Sequence, residues 1–121
     1  MRIKALVIGG IIASSAWAFS GAATAALSDC GSGRMCMWGN NDYMWKIGDR
    51  AAGEGDFKNL SGDKNDAMDS WANKSGSYIG CMYGSANGTG DEQTMAKNSN
   101  DNNVSPLNSD EVTSWRTRYG C

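Results

Sequence analysis

The chain has 121 residues, with 16 glycines, four cysteines, one proline and no histidine. Its 11 basic and 13 acidic side chains give a net charge of −2, too little positive surface to hold nucleic acid or an anionic membrane. The lack of histidine excludes a Ser-His-Asp triad, a Cys-His pair and histidine metal ligands.

Arg2 and Lys4 precede an apolar or small run from Ala5 to Ala18, and Ala23-Thr24-Ala25 follows as an A-x-A cleavage pattern. Residues 1–26 therefore read as a secretory signal peptide. The apolar run is short and studded with Gly, Ser and Ala, which argues against a membrane anchor. The expected product is an extracellular, monomeric domain of residues 27–121, with no second hydrophobic span and no membrane contact after cleavage. Loss of Arg2 and Lys4 leaves nine basic against thirteen acidic residues, so the mature domain is acidic.

Cys30, Cys36, Cys81 and Cys121 all lie in the mature part. An even count in a small secreted domain implies two disulfides. Four cysteines allow three pairings. Cys30–Cys36 with Cys81–Cys121 is preferred because each bond stays inside its own half; the other two stay open on spacing alone. The chain-entropy relation gives roughly 2.4 kcal/mol for the short loop and roughly 4 kcal/mol for the long one.

The elements predicted along the chain are short strands between turns. Arg34 to Trp38 alternates, with Cys36 and Trp38 on one face. Gly39 to Asp42 is a turn cluster, and Tyr43, Trp45 and Ile47 alternate as a second strand. Gly48 to Gly55 reads as turn, Phe57 and Leu60 as anchors, Ser61 to Asp66 as loop, and Met68 to Ala72 leads into Trp71. Ser77 to Tyr83 is a strand, Gly84 to Gly90 a turn, and Glu92 to Ala96 a weak strand. Lys97 to Asn103 is the most polar run and reads as a solvated loop. No segment carries a long helical stripe, so the class is all-β.

Two stretches recur. Cys36-Met37-Trp38-Gly39 is echoed by Cys81-Met82-Tyr83-Gly84, and Asn65 to Trp71 by Ser109 to Trp115. Trp38 to Trp71 spans 33 residues and Tyr83 to Trp115 spans 32. The domain is thus two copies of one unit, about 30–76 and 77–121, with Trp38, Trp71, Tyr83 and Trp115 at equivalent core places.

The first landmark, aromatic–x₄–aromatic–x–Gly, resembles the folded hairpin of βγ-crystallin domains. Trp38 and Tyr43 fit in the first copy, but Trp45 stands where glycine is expected; Tyr83 and Gly90 fit in the second, but Gly88 stands where an aromatic is expected. The second landmark resembles the crystallin calcium motif N/D-N/D-x-x-S/T-S. Asn65-Asp66-Ala67-Met68-Asp69-Ser70 departs from it at Asp69, and Ser109-Asp110-Glu111-Val112-Thr113-Ser114 at Ser109. This resemblance implies a βγ-crystallin-like double Greek-key β-sandwich with two disulfides. It also implies Asn65, Asp66, Asp69, Asp110 and Thr113 as oxygen ligands, calcium being the one cofactor this chemistry admits. The plainer alternative has Ser70 and Ser114 bonding backbone groups to stabilise the fold.

The signal segment, the Cys-x₅-Cys leading into a Cys-Met-Trp strand, and Asn65 to Trp71 together resemble the actinobacterial peptidase inhibitor I-thirty-six family. The resemblance implies a secreted non-enzyme that binds an extracellular protease, with a metalloprotease as the expected target. An inhibitor needs a rigid loop that enters a protease cleft at little ordering cost. Gly84 to Glu92, next to Cys81, is one such loop; Lys97 to Leu107 is the other, with Val104, Ser105, Pro106 and Leu107 as the residues a pocket would accept. A secreted antimicrobial or killer-toxin-like protein on the same scaffold is the first alternative, and a calcium-binding structural module the second.

Overall fold

The computed structural model describes residues 26–121, so the signal-peptide segment lies outside the described residues up to Thr24-Ala25. Eight strands occur in order: β1 (Arg34–Asn40), β2 (Met44–Ala51), β3 (Lys58–Asn59), β4 (Ser70–Asn73), β5 (Ile79–Ser85), β6 (Thr89–Met95), β7 (Ser99–Asp101) and β8 (Ser114–Arg118). They form two antiparallel four-stranded sheets, ordered β2-β1-β4-β7 and β3-β8-β5-β6. Each half supplies three strands to its own sheet and lends its third strand, β3 or β7, to the edge of the other. That exchange makes two interlocked Greek keys on a shared core.

Alternation along β1 and β5 explains why both landmark strands are buried on both faces. Met35 and Met37 point between the sheets, where they meet Ile47, Met68, Trp71, Met82, Met95, Val104, Val112 and Trp115. Cys36 and Trp38 point the other way into a smaller cluster with Cys30 and Ala72, closed over by Leu27 and Tyr43. Five of the seven methionines fill the main core, whose irregular gaps suit an unbranched, flexible side chain. The four expected aromatics, Trp38, Trp71, Tyr83 and Trp115, are all buried. Both preferred disulfides are formed, Cys30–Cys36 with Cα atoms 5.9 Å apart and Cys81–Cys121 with 5.7 Å.

Three of the departures from the sequence reading have a clear physical cause. Gly48 to Ala51 continues β2 instead of turning, because Arg50 is an inward position: its guanidinium is 1% exposed and lies 5.3 Å from the Trp115 ring. Ile47 is inward while Met44 and Trp45 face solvent, because the β1–β2 register slips between Met37 and Trp38 and leaves Ile47 as the extra residue of a bulge. Within Lys97 to Asn103, residues Ser99–Asp101 pair with Asn73, Ala72 and Trp71 as a true edge strand. Its hold on the sheet is backbone hydrogen bonding, and its side chains carry no alternating apolar signal to read.

Candidate functional site

The two β–β hairpins are equivalent, residue for residue. Asp42, Tyr43 and Trp45 have φ of 58°, 61° and 62°; Asn87, Gly88 and Gly90 have 56°, 75° and 85°. Trp45 therefore occupies a left-handed position that Gly90 fills freely in the second copy, at a backbone cost of about 1–2 kcal/mol. Its ring lies against Gly39, where there is no room for a Cβ. The opposite exchange occurs in the second hairpin. Gly88 has no side chain, and the Phe57 ring, coming from the segment before β3, fills the space. Phe57 meets Tyr83 edge-on at 5.8 Å, as Tyr43 meets Trp38 at 5.1 Å, and Arg116 lies 4.4 Å over its ring. The sequence marks Phe57 as an anchor but not its partner, since the replacement comes from the other repeat.

Ser70 and Ser114 clasp these hairpins. The Ser70 hydroxyl donates to the Asn40 carbonyl at 2.7 Å and accepts from the Tyr43 N–H at 3.1 Å. The Ser114 hydroxyl donates to the Ser85 carbonyl at 2.6 Å and accepts from the Gly88 N–H at 2.9 Å. Both serines are buried, so the fold-stabilising role of the second landmark is visible directly.

The remaining motif residues meet across the pseudo-twofold. Asp66 accepts a hydrogen bond from the Thr113 hydroxyl at 3.2 Å, and the Asp69 carboxyl lies beside that of Asp110. The backbone repeats the exchange: the Asp66 N–H donates to Val112 at 3.0 Å and the Asp110 N–H to Met68 at 2.9 Å. Asp66 and Asp110 share left-handed φ values of 58° and 59°. Burial foremost, then the charge of the adjacent Asp110, holds the Asp69 carboxyl above its usual range. Asn65 brings a buried side-chain oxygen with no hydrogen-bond partner. Asp66, Asp110 and Glu111 also border a cleft of about 420 Å³ with Gly84, Ser85, Gly90 and Asp91. Carboxylate, hydroxyl and carbonyl oxygens are the donor set a hard divalent cation takes.

The four residues of the expected protease-binding stretch do not act alike. Val104 is 5% exposed and belongs to the main core, so its side chain is an anchor and not a contact for a cleft. Ser105, Pro106 and Leu107 are exposed, and Leu107 is 83% exposed. Both flanks of this turn are tied down. On one side the Val104 N–H donates to Asp69 at 2.9 Å; on the other the Asp110 N–H donates to Met68. The Asn108 and Ser109 N–H groups close onto the Ser105 carbonyl, and the Gln93 amide donates to the Asn108 carbonyl at 2.9 Å. These bonds, and not a neighbouring disulfide, brace the turn. In the other expected loop, Asn87 is held by Asn59, whose amide donates to the Asn87 side chain and whose oxygen accepts the Asn87 N–H, both at 3.0 Å.

With the braced turn, the paired disulfides and the crossed Greek keys in place, comparison with known families decides between scaffolds. Residues 23–80 match the family model of Peptidase inhibitor family I36. The I36 match covers the first Greek key and ends at the start of β5, and the second key repeats its architecture. A comparison with curated proteins finds no match. Among solved structures, one described under the evolution of the eye-lens βγ-crystallin domain fold aligns at TM-score 0.57 and 12% identity, over 84% of this chain and 93% of that one. A βγ-crystallin domain from Flavobacterium johnsoniae aligns at TM-score 0.54 and 20% identity, over 69% and 92%. One from Clostridium beijerinckii aligns at 0.54 and 22%, over 70% and 97%. The I36-matching chain therefore has the βγ-crystallin fold.

Proposed function

We propose that the domain is a secreted, non-enzymatic inhibitor that docks the Ser105–Ser109 turn into the cleft of an extracellular protease, with Leu107 as the plug. The observation that carries this reading is Leu107: a leucine 83% exposed at the tip of a turn tied at both flanks. Such a residue gains apolar burial only in a complex, and the turn loses little freedom on binding. The I36 match supports a protease as partner, and two disulfides suit an oxidising, extracellular setting. A metalloprotease is the target class we favour, because a large apolar side chain is what a hydrophobic specificity pocket beside the metal accepts. Titrating the oxidised domain against zinc metalloproteases, with serine proteases for comparison, tests the reading. Saturable inhibition of one class at near-stoichiometric dose is expected.

A second reading has its own observation. The crossed pairs Asp66–Thr113 and Asp69–Asp110, with the unpartnered Asn65 oxygen, supply oxygen donors for calcium. On this reading the ion would fasten the two Greek keys together, a structural role compatible with inhibition.

A further inference from the structure

We propose that Tyr78 and Tyr119 form an intrachain oxidative cross-linking site, coupled ring to ring by a haem peroxidase using hydrogen peroxide. The chain has four tyrosines. Tyr83 is buried, and Tyr43 is engaged edge-on with Trp38 and donates its hydroxyl to Asn100 at 2.7 Å. Tyr78 and Tyr119 instead lie against each other with their centroids 4.7 Å apart and their planes tilted by 30°. Their phenolic oxygens are 3.2 Å apart, so the rings converge toward the hydroxyl ends. A phenoxyl radical places its unpaired electron on the oxygen and on the adjacent ortho carbons, at the end where the two hydroxyls meet.

Both partners are held in place. The Tyr78 ring rests on Gly53, where an added Cβ would sit 3.3 Å from it. Its N–H donates to the Ser75 hydroxyl at 3.1 Å and its carbonyl accepts from the Asn73 amide at 2.8 Å. Tyr119 follows β8, whose Arg118 pairs with Ile79, and precedes the Cys81–Cys121 bond. Tyr119 is 75% exposed, so an enzyme or a small oxidant can reach it. The two hydroxyls share a hydrogen bond in which either can donate, and this bond with Tyr119 holds the Tyr78 phenol above its usual value.

The chemistry balances with one peroxide. Each phenol gives up one electron and one proton. The two radicals join through one ortho carbon each, and each ring regains aromaticity by moving the hydrogen of that carbon to its oxygen. The peroxide takes up two electrons and two protons and leaves as two waters. The product is two hydrogens lighter than the parent. It spans the same junction as Cys81–Cys121 but survives thiol reduction. Holding the rings together gives the intrachain reaction a large advantage over coupling between chains.

The test treats dilute, oxidised, secreted protein with a haem peroxidase and limiting peroxide, with N-acetyltyrosine coupling as the control for oxidant activity. Dityrosine fluorescence in a monomer two hydrogens lighter is expected, with a cross-linked peptide joining residues 78 and 119. Tyr78→Phe and Tyr119→Phe should each reduce that monomer at least tenfold, while Tyr43→Phe leaves it unchanged. Dityrosine found mainly between chains, persistence of the lighter monomer in Tyr119→Phe, or no coupling in the protein while the control couples would each overturn the proposal.

Discussion

Trp45 and Gly39 form one unit, because the tryptophan takes a glycine's backbone conformation and the glycine makes room for its ring. Gly39→Ala alone should destabilise the domain by about 1–3 kcal/mol through overpacking. In a Trp45→Gly background the same change should cost far less, giving a coupling of about 1–2 kcal/mol in a denaturation double-mutant cycle. Additive effects would mean that the ring does not depend on the missing Cβ. Asp69 supplies a second test at this scale. Its folded pKa is raised, so it penalises the fold above that pKa, and the penalty fades as pH falls toward the unfolded value near 3.9. In metal-free buffer Asp69→Asn should therefore raise the melting temperature near pH 7 and not near pH 3.5. Added calcium should stabilise the parent more than the variant if the oxygens of this pair hold the ion. Asp49, held below its usual range by Lys46 and Arg34 despite partial burial, acts in the opposite sense, stabilising above the unfolded value and ceasing to as pH falls through its lowered one.

Among the elements, β1 and β5 were legible as strands, and the places of β4 and β8 as the second landmark, because each carries a buried aromatic and a matched partner in the other repeat. The lent strands were not. β3 has two residues and β7 three, both are polar, and each belongs to its sheet through backbone pairing with a distant strand. Arg50 was hidden for a similar reason, since its place in the core follows from acceptors in the β2–β3 loop and in the distant β8. Its guanidinium donates to the carbonyls of Trp115, Glu54 and Asp56, each at 2.8 Å, and so ties β2 of one sheet to β8 of the other. Burial pulls its pKa down, and Asp56 and Glu54 offset that pull. Arg50→Leu should destabilise by about 3–5 kcal/mol, because the buried carbonyls lose their donor. A loss below about 1 kcal/mol by chemical denaturation would mean that water replaces the guanidinium without penalty.

For the molecule as a whole, the pseudo-twofold accounts for what the sequence revealed of the site and for what it did not. The repeat put Asp66, Asp69, Asp110 and Thr113 on equivalent turns, but the crossing of partners between halves depends on the strand exchange, which no local pattern encodes. Val104 reads as one apolar residue in a polar run, and only the packed core separates it from Leu107. The two disulfides fasten each half, while the crossed carboxylates, Arg50 and the lent strands fasten the halves to each other. The central functional claim rests on one exposed side chain on this doubly fastened scaffold. The measurement that tests it most directly is the inhibition constant of the parent and of Leu107→Asp against the most strongly inhibited protease of the panel, with melting curves of both. Removing an apolar contact of roughly 1.5–3 kcal/mol predicts inhibition weakened about 10- to 150-fold at an unchanged melting temperature. Equal inhibition by the folded variant, or none by the folded parent against any protease, would contradict the account. In the second case the antimicrobial alternative is next, assayed as growth inhibition of fungi and competing bacteria.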